Sequence, residues 1–178
     1  MVLELRVPHT TDLAALRVLL PVFLTYVLSF ILLGIYWNNH HHMLFLTDRI
    51  TGGILWANLH LLFWLSLMPF VTGWMGENHF APIPTALYGV VLMMAGVAYY
   101  ILEQAIIRSQ GPDSRLEAAV GNDFKGKISL VLYLVAIPLA FVHQMLSDAI
   151  YVAVALMWLI PDRRIEERFA EAERGERP

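Results

Sequence analysis

The chain alternates between long apolar stretches and short polar ones, and this pattern predicts membrane-spanning helices. The hydrocarbon core of a bilayer is about 30 Å thick, so a helix that crosses it needs roughly 20 mostly apolar residues. Lipid offers no hydrogen-bond partner to the backbone of an open strand, so the spans must be helical. We therefore predict an all-α, polytopic membrane helix bundle with five transmembrane helices, at about 13–37, 54–74, 85–107, 128–143 and 147–161.

Prolines and polar clusters set the predicted boundaries. The last apolar block is too long for one span, and its polar segment from His143 to Asp148 predicts a tight turn between two short helices. Pro138 predicts a kink in the first of these helices, because proline removes a backbone donor. The pair Pro69-Phe70, followed by Thr72-Gly73, predicts the end of the second helix, and Pro161 predicts the end of the last one. The polar stretch 108–127 is expected to be a loop or a surface helix in water.

Composition supports the membrane assignment. The chain is 58% hydrophobic and 15% charged, whereas soluble domains average about 45–50% apolar and about 25% charged residues. It has no cysteine, which excludes disulfides, thiolate catalysis and cysteine-based metal sites. No basic surface interleaved with aromatic residues suggests nucleic acid as a partner.

The distribution of lysine and arginine predicts the orientation in the membrane. Basic residues concentrate in the stretch 108–127 and after Pro161, and such residues favour the cytoplasmic side. We expect a transmembrane domain over 1–164 and a charged cytoplasmic tail over 165–178. The N-terminus then lies outside without a signal sequence, and this suggests that a helix entering from the cytoplasm precedes Met1.

Polar residues near and within the first two spans are the candidate functional residues. On a continuing helix, the cluster from Tyr36 to His42 places Trp37, His40 and His41 on adjoining faces. Three successive histidines do not share a face, so we predict no metal site, and no cofactor or catalytic motif is indicated. The cluster fits a polar junction between helices or an anchor in the headgroup region equally well. Asn58, within the second span, is expected to face the bundle interior, most simply as a helix-packing residue.

Several segments together resemble the prokaryotic branch of the transmembrane protein 175 family. These segments are Leu28–His42, Leu55–Phe63, Ser66–Phe70, Leu87–Gly89 and Trp158–Pro161, and the resemblance extends from Met1 to about Arg164. It implies a potassium-permeable channel in the cell membrane, not an enzyme, with K⁺ as the permeant ion. It further implies a homo-oligomer, a tetramer in bacterial members, whose central pore is lined by the first helix. By position, Trp37, His40, His41 and Asn58 would form a buried polar network that packs behind that pore.

The chain departs from the family pattern in one respect. The family's first helix carries Arg-x-x-x-Phe-Ser-Asp, which occurs nowhere here, and residues 1–7 resemble only the outer end of that helix, as a stub. The pore-lining residues would then lie mostly on the absent helix. Either Met1 is an internal methionine of a longer six-helix channel, which we favour, or the product is a non-conducting scaffold or degenerate paralogue. A haem protein using His40, His60 and His143 is a third hypothesis, disfavoured because His40 and His143 are predicted at opposite faces.

Overall fold

The regular structure of the described residues is entirely helical. The computed structural model describes residues 13–47, 49–111, 114–121 and 123–159. Its helices are α1 (Leu13–Phe45), α2 (Gly52–Glu77), α3 (Pro82–Gln110), α4 (Arg115–Val120), α5 (Phe124–Leu139) and α6 (Gln144–Leu159). The predicted all-α class is confirmed. The stub 1–7, the tail 165–178 and the helix end predicted at Pro161 lie outside the described residues.

Helix α3 lies at the centre of the bundle, where it packs against α2, α4, α5 and α6, while α1 packs against α2 and α6. Successive long helices run antiparallel. Along α1 and α2, a Cβ added to Gly76 would lie 2.6 Å from Thr25 Cγ2, while His40 near the other end of α1 contacts Asn58. Helices α5 and α6 are also antiparallel. Ser147, near the start of α6, donates a hydrogen bond to the carbonyl of Ala136, near the end of α5.

The outer surface of the bundle is strongly apolar. Helices α2 and α3, of 26 and 29 residues, are long and apolar enough to cross a membrane, and α6 is a shorter apolar helix. Large side chains such as Trp56, 75% exposed, and Phe63, 55% exposed, lie on the outer face of α2. In water such a surface would be unfavourable by about 25 cal/mol per Å² of apolar area. It therefore requires lipid or another protein surface.

The first two helices are longer than the hydrophobic pattern predicted. α1 continues through the polar cluster to Phe45 instead of ending near residue 37, so the histidines are helical. α2 continues through Pro69 and Gly73 to Glu77, so the helix end predicted over residues 69–73 is wrong. A proline removes one backbone donor, which a long helix tolerates when the following turn stays bonded. That turn is supported by Thr72, whose hydroxyl donates to the Met68 carbonyl at 2.7 Å.

The turn between α5 and α6 lies earlier than predicted. It occupies residues 140–143, directly after Pro138 and Leu139 at the end of α5, and it is mostly apolar. Pro138 therefore lies in the last turn of α5 instead of kinking a longer helix. The polar segment that was predicted to form the turn instead begins α6, where the amides of Leu146 and Ser147 both donate to the His143 carbonyl. The polar residues here therefore lie in the first turn of a helix and not in a turn between helices.

Candidate functional site

A buried polar contact joins α1 and α2. His40 is only 6% exposed, on the inner face of α1, and its Nε2 lies 2.7 Å from Oδ1 of Asn58 on α2. An amide oxygen can only accept a hydrogen bond, so this contact is a hydrogen bond in the histidine tautomer with a proton on Nε2. Neighbouring apolar residues of both helices, Met43, Ile54 and Leu61, are almost completely buried around this level. The pair therefore pins the crossing of α1 and α2 in an otherwise apolar layer.

The other two residues of the predicted network lie outside this contact. Trp37 is 66% exposed, and its ring centroid is 6.1 Å from that of His40 and 6.3 Å from that of His41. The His41 side chain is also exposed. The structure thus brings His40 and Asn58 together, with Trp37 beside His40 and His41 on the outer surface of α1. This arrangement leaves an aromatic, polar patch available to another surface at the end of α1.

A second set of contacts at this level was not singled out in the sequence. The Tyr99 hydroxyl of α3 donates to the Asn39 carbonyl of α1 at 3.3 Å, and the Tyr36 and Tyr99 rings meet edge to face at 6.5 Å. The Trp158 indole of α6 donates to the Ser129 hydroxyl of α5 at 2.9 Å. Each of these groups lies in an apolar segment, where an unmet donor is costly. This cost could have indicated such contacts from the sequence, because each hydroxyl or indole in an apolar segment needs a hydrogen-bond partner on a neighbouring helix.

Two carboxylates lie near the same end of the bundle. Asp123 caps the start of α5, where its Oδ1 accepts from the Gly126 amide at 3.0 Å. Burial raises the pKa of the Asp123 carboxyl, and the Gly126 hydrogen bond and Lys127 oppose that shift. Glu103 of α3 is buried at 3% exposure, and its Oε1 accepts from Gln104 Nε2 at 3.4 Å. The two carboxylates repel each other electrostatically, and Lys127 attracts both.

The remaining histidines do not gather into a ligand set. The Trp64 indole donates to His60 Nε2 at 3.0 Å. His143 lies after the end of α5, whereas Asn39, next to His40 on α1, lines a cavity together with Asp123 at the start of α5. Within the part of the chain that the structure describes, no group of three histidine, aspartate or glutamate side chains could hold a metal ion. The geometry offers no support for paired axial ligands from His40 and His143.

Comparison with known proteins gives consistent matches. The family model described as endosomal/lysosomal potassium channel TMEM175 matches residues 1–69. A potassium channel of Chryseobacterium sp. strain P1-3 is 51% identical over 171 residues, which is 96% of this chain and 89% of the relative. Potassium channels of Streptomyces collinus and Chamaesiphon minutus are 25% and 26% identical, over 89% and 90% of this chain and 82% and 85% of theirs. No solved structure matches the chain.

Proposed function

Because this chain belongs to the TMEM175 family of potassium channels, we propose that it is a channel subunit that conducts K⁺ across a membrane. The observation that carries this proposal is the 51% identity to the Chryseobacterium potassium channel, which extends along nearly the whole of both chains. An ion channel performs no covalent chemistry. Its residues instead form a pathway through the bilayer and support the helices around that pathway.

The proposed topology has five spans, formed by α1, α2, α3, α5 and α6. At 1.5 Å per residue, the 16-residue helices α5 and α6 are roughly 24 Å long, somewhat shorter than a hydrocarbon core of about 30 Å. The other three exceed that thickness. The segment from 108 to 127, which contains α4 and several lysines and arginines, would face the cytoplasm together with the C-terminus.

The proposed pore belongs to a homo-oligomer, a tetramer by analogy with the bacterial members of the family. The exposed large apolar side chains of α1 and α2 support such an assembly, because an apolar face can be covered by a neighbouring subunit. Trp37, 66% exposed beside His40, lies on the same side of α1. The role proposed for Trp37, His40, His41 and Asn58 is to support the pore from behind, with the His40–Asn58 bond fixing the angle between α1 and α2.

An ion-flux assay tests the proposed activity. Purified protein is reconstituted into liposomes loaded with KCl, and the liposomes are diluted into an NaCl solution. K⁺ efflux makes the vesicle interior negative, and this voltage drives protons inward once a protonophore is added. The proton uptake is the measured signal. We expect uptake that depends on the protein, and much slower uptake when the vesicles are loaded with the bulky cation N-methyl-D-glucamine. Protein-free vesicles are the negative control, and the Chryseobacterium channel is the positive one.

The alternatives predict different results in the same vesicles. A scaffold or degenerate paralogue gives no efflux above the protein-free control, although the protein is inserted and folded. An unselective leak gives equal rates with both loaded cations. The mass of the purified assembly in lipid nanodiscs tests the tetramer separately, and a mass of one or two subunits would contradict it.

A further inference from the structure

Two polar side chains on the outer surface of α1 and α2 repeat, in reverse, the contact that joins these helices. The pattern Asn-x-His occurs at Asn38 to His40 and again at Asn58 to His60. His40 and Asn58 bond to each other inside the subunit, which leaves Asn38 and His60. Asn38 is exposed and His60 is partly exposed. Among the described residues, neither the Asn38 side chain nor Nδ1 of His60 has a hydrogen-bond partner.

The two remaining groups lie at the same depth in the membrane. α1 and α2 are antiparallel, and the 2.7 Å contact between His40 and Asn58 sets them in register. Asn38 precedes His40 by two residues and His60 follows Asn58 by two, so each is displaced by about 3 Å along its helix in the same direction. Rotation about an axis perpendicular to the membrane keeps depth unchanged. In a ring of subunits, Asn38 of one copy is therefore level with His60 of the next.

The two groups also point to opposite sides of the pair of helices α1 and α2. Two residues correspond to about 200° around an α-helix. Because His40 points towards α2, Asn38 points away from α2, and because Asn58 points towards α1, His60 points away from α1. One polar side chain thus lies at each edge of the pair. Two different edges of this kind meet head to tail when copies of a chain close into a ring.

The hydrogen-bonding roles of the two groups are complementary. The indole N–H of Trp64 can only donate, and it donates to Nε2 of His60 at 3.0 Å. A ring that accepts at Nε2 carries its proton on Nδ1, which is therefore a donor, and the amide oxygen of Asn38 is an acceptor. α2 has 26 residues and is about 39 Å long, and His60 lies about 12 Å from its start, within a hydrocarbon core of about 30 Å. Lipid chains at that depth offer no acceptor.

We propose that His60 of one subunit donates a hydrogen bond to Asn38 of the neighbouring subunit, so that the two edges of the α1–α2 pair form the contact between copies of this chain. The inference rests on the proposed homo-oligomer and names the surface through which it closes. Apolar side chains beside each group, Ile31 at 48% exposure and Phe63 at 55%, would be covered by the same contact. Because the bond joins two subunits, it stabilises the assembly and adds nothing to the folding of a separated subunit.

Chemical cross-linking tests the contact, because the chain has no cysteine of its own. Asn38→Cys and His60→Cys are made on separate copies of the full chain, co-expressed, reconstituted into liposomes and treated with a short bifunctional methanethiosulfonate reagent. Such a reagent is needed because an asparagine–histidine pair is wider than a disulfide. We expect reducible dimers from the co-expressed copies and monomers from either variant alone. A chain that carries both cysteines should give a ladder of larger oligomers.

A matched control separates this contact from random collisions. Phe70 is 63% exposed on α2 but lies about 15 Å further along the helix than His60. Asn38→Cys co-expressed with Phe70→Cys should therefore give no dimer above the level of single variants. No dimer from Asn38→Cys with His60→Cys, or an equal yield with Phe70→Cys, would overturn the proposal.

The strength of the contact is measured separately, by subunit exchange between diluted liposomes. His60→Phe keeps a ring and loses the donor, and it should raise the dissociation constant of the assembly about three- to twentyfold. His143→Phe, in the exposed turn after α5, should leave that constant unchanged, and equal constants for the two variants would contradict the hydrogen bond. Neither assay uses ion flux. An oligomer that forms and conducts K⁺ without this cross-link would contradict the contact alone and leave the channel function intact.

Discussion

The bond between His40 and Asn58 gives the sharpest prediction about the architecture. Replacing Asn58 with alanine leaves a histidine that is 6% exposed without its partner at 2.7 Å. An unsatisfied buried group costs about 1–3 kcal/mol, while interhelical hydrogen bonds in membranes contribute about 0.6 kcal/mol on average and at most about 1.7 kcal/mol. We therefore expect Asn58→Ala to lower the free energy of unfolding by roughly 1–2 kcal/mol.

A double-mutant cycle isolates the bond from the packing of the two side chains. His40→Leu, Asn58→Leu and the double variant are unfolded reversibly in mixed micelles with increasing sodium dodecyl sulfate. The double variant should be more stable than the sum of the single changes predicts, by about 0.6–1.7 kcal/mol. Asn38→Ala is the matched control, because Asn38 is exposed, and it should change stability by less than about 0.5 kcal/mol. Additive effects of His40→Leu and Asn58→Leu would refute the reasoning.

Three other variants test packing and charge at separate places. Gly89→Ala should lower the melting temperature clearly, because its Cβ would overlap the Tyr151 hydroxyl and lie 2.8 Å from Cζ, whereas Gly34→Ala, with nothing within 4 Å, should not. Ser147→Ala should cost about 1 kcal/mol in detergent unfolding by removing the buried bond to the Ala136 carbonyl; no loss would contradict its role in joining α5 to α6. Burial raises the pKa of the Asp123 carboxyl above its usual 3.8. Between the pKa of the unfolded chain and the higher pKa of the folded chain, the folded chain binds more protons. Its stability therefore falls as pH rises through that window. The stability of Asp123→Asn relative to the unmodified protein should therefore increase from about pH 4 towards neutrality, measured in paired melts, and a constant difference would contradict the shift.

The hydrophobic pattern was sufficient to predict the helical class, because apolar segments of this length can satisfy their backbone only as helices in lipid. It was less informative about where helices end. Polarity was read as a boundary at residues 38–42 and at 143–148, yet residues 38–42 and 144–148 are helical. In the first, polar side chains bond to neighbouring helices or to their own backbone, as Asn39 does to the Ile35 carbonyl at 2.8 Å. In the second, the polar residues begin α6.

The candidate site was predicted in part for a similar reason. Spacing placed His40 on a helix face and the cost of burying Asn58 pointed it inward, and the structure brings these two side chains into contact. The same spacing could not decide which face of α1 turns towards α2, so Trp37 and His41 could not be separated from His40 by sequence alone. The Tyr99–Asn39 and Trp158–Ser129 bonds join residues 60 and 29 positions apart. Such pairs depend on how α3, α5 and α6 pack, which no local pattern specifies.

The central claim, that the protein is a potassium channel, is tested most directly by its reversal potential in a planar bilayer. One side of the bilayer holds KCl and the other an equal concentration of NaCl. A potassium-selective pathway should give a current whose reversal voltage is displaced from zero, in the direction that opposes K⁺ flow from the KCl side to the NaCl side. The displacement should change sign when the two solutions are exchanged. A current that reverses at zero in both arrangements, or no current from protein shown to be inserted and folded, would contradict the account.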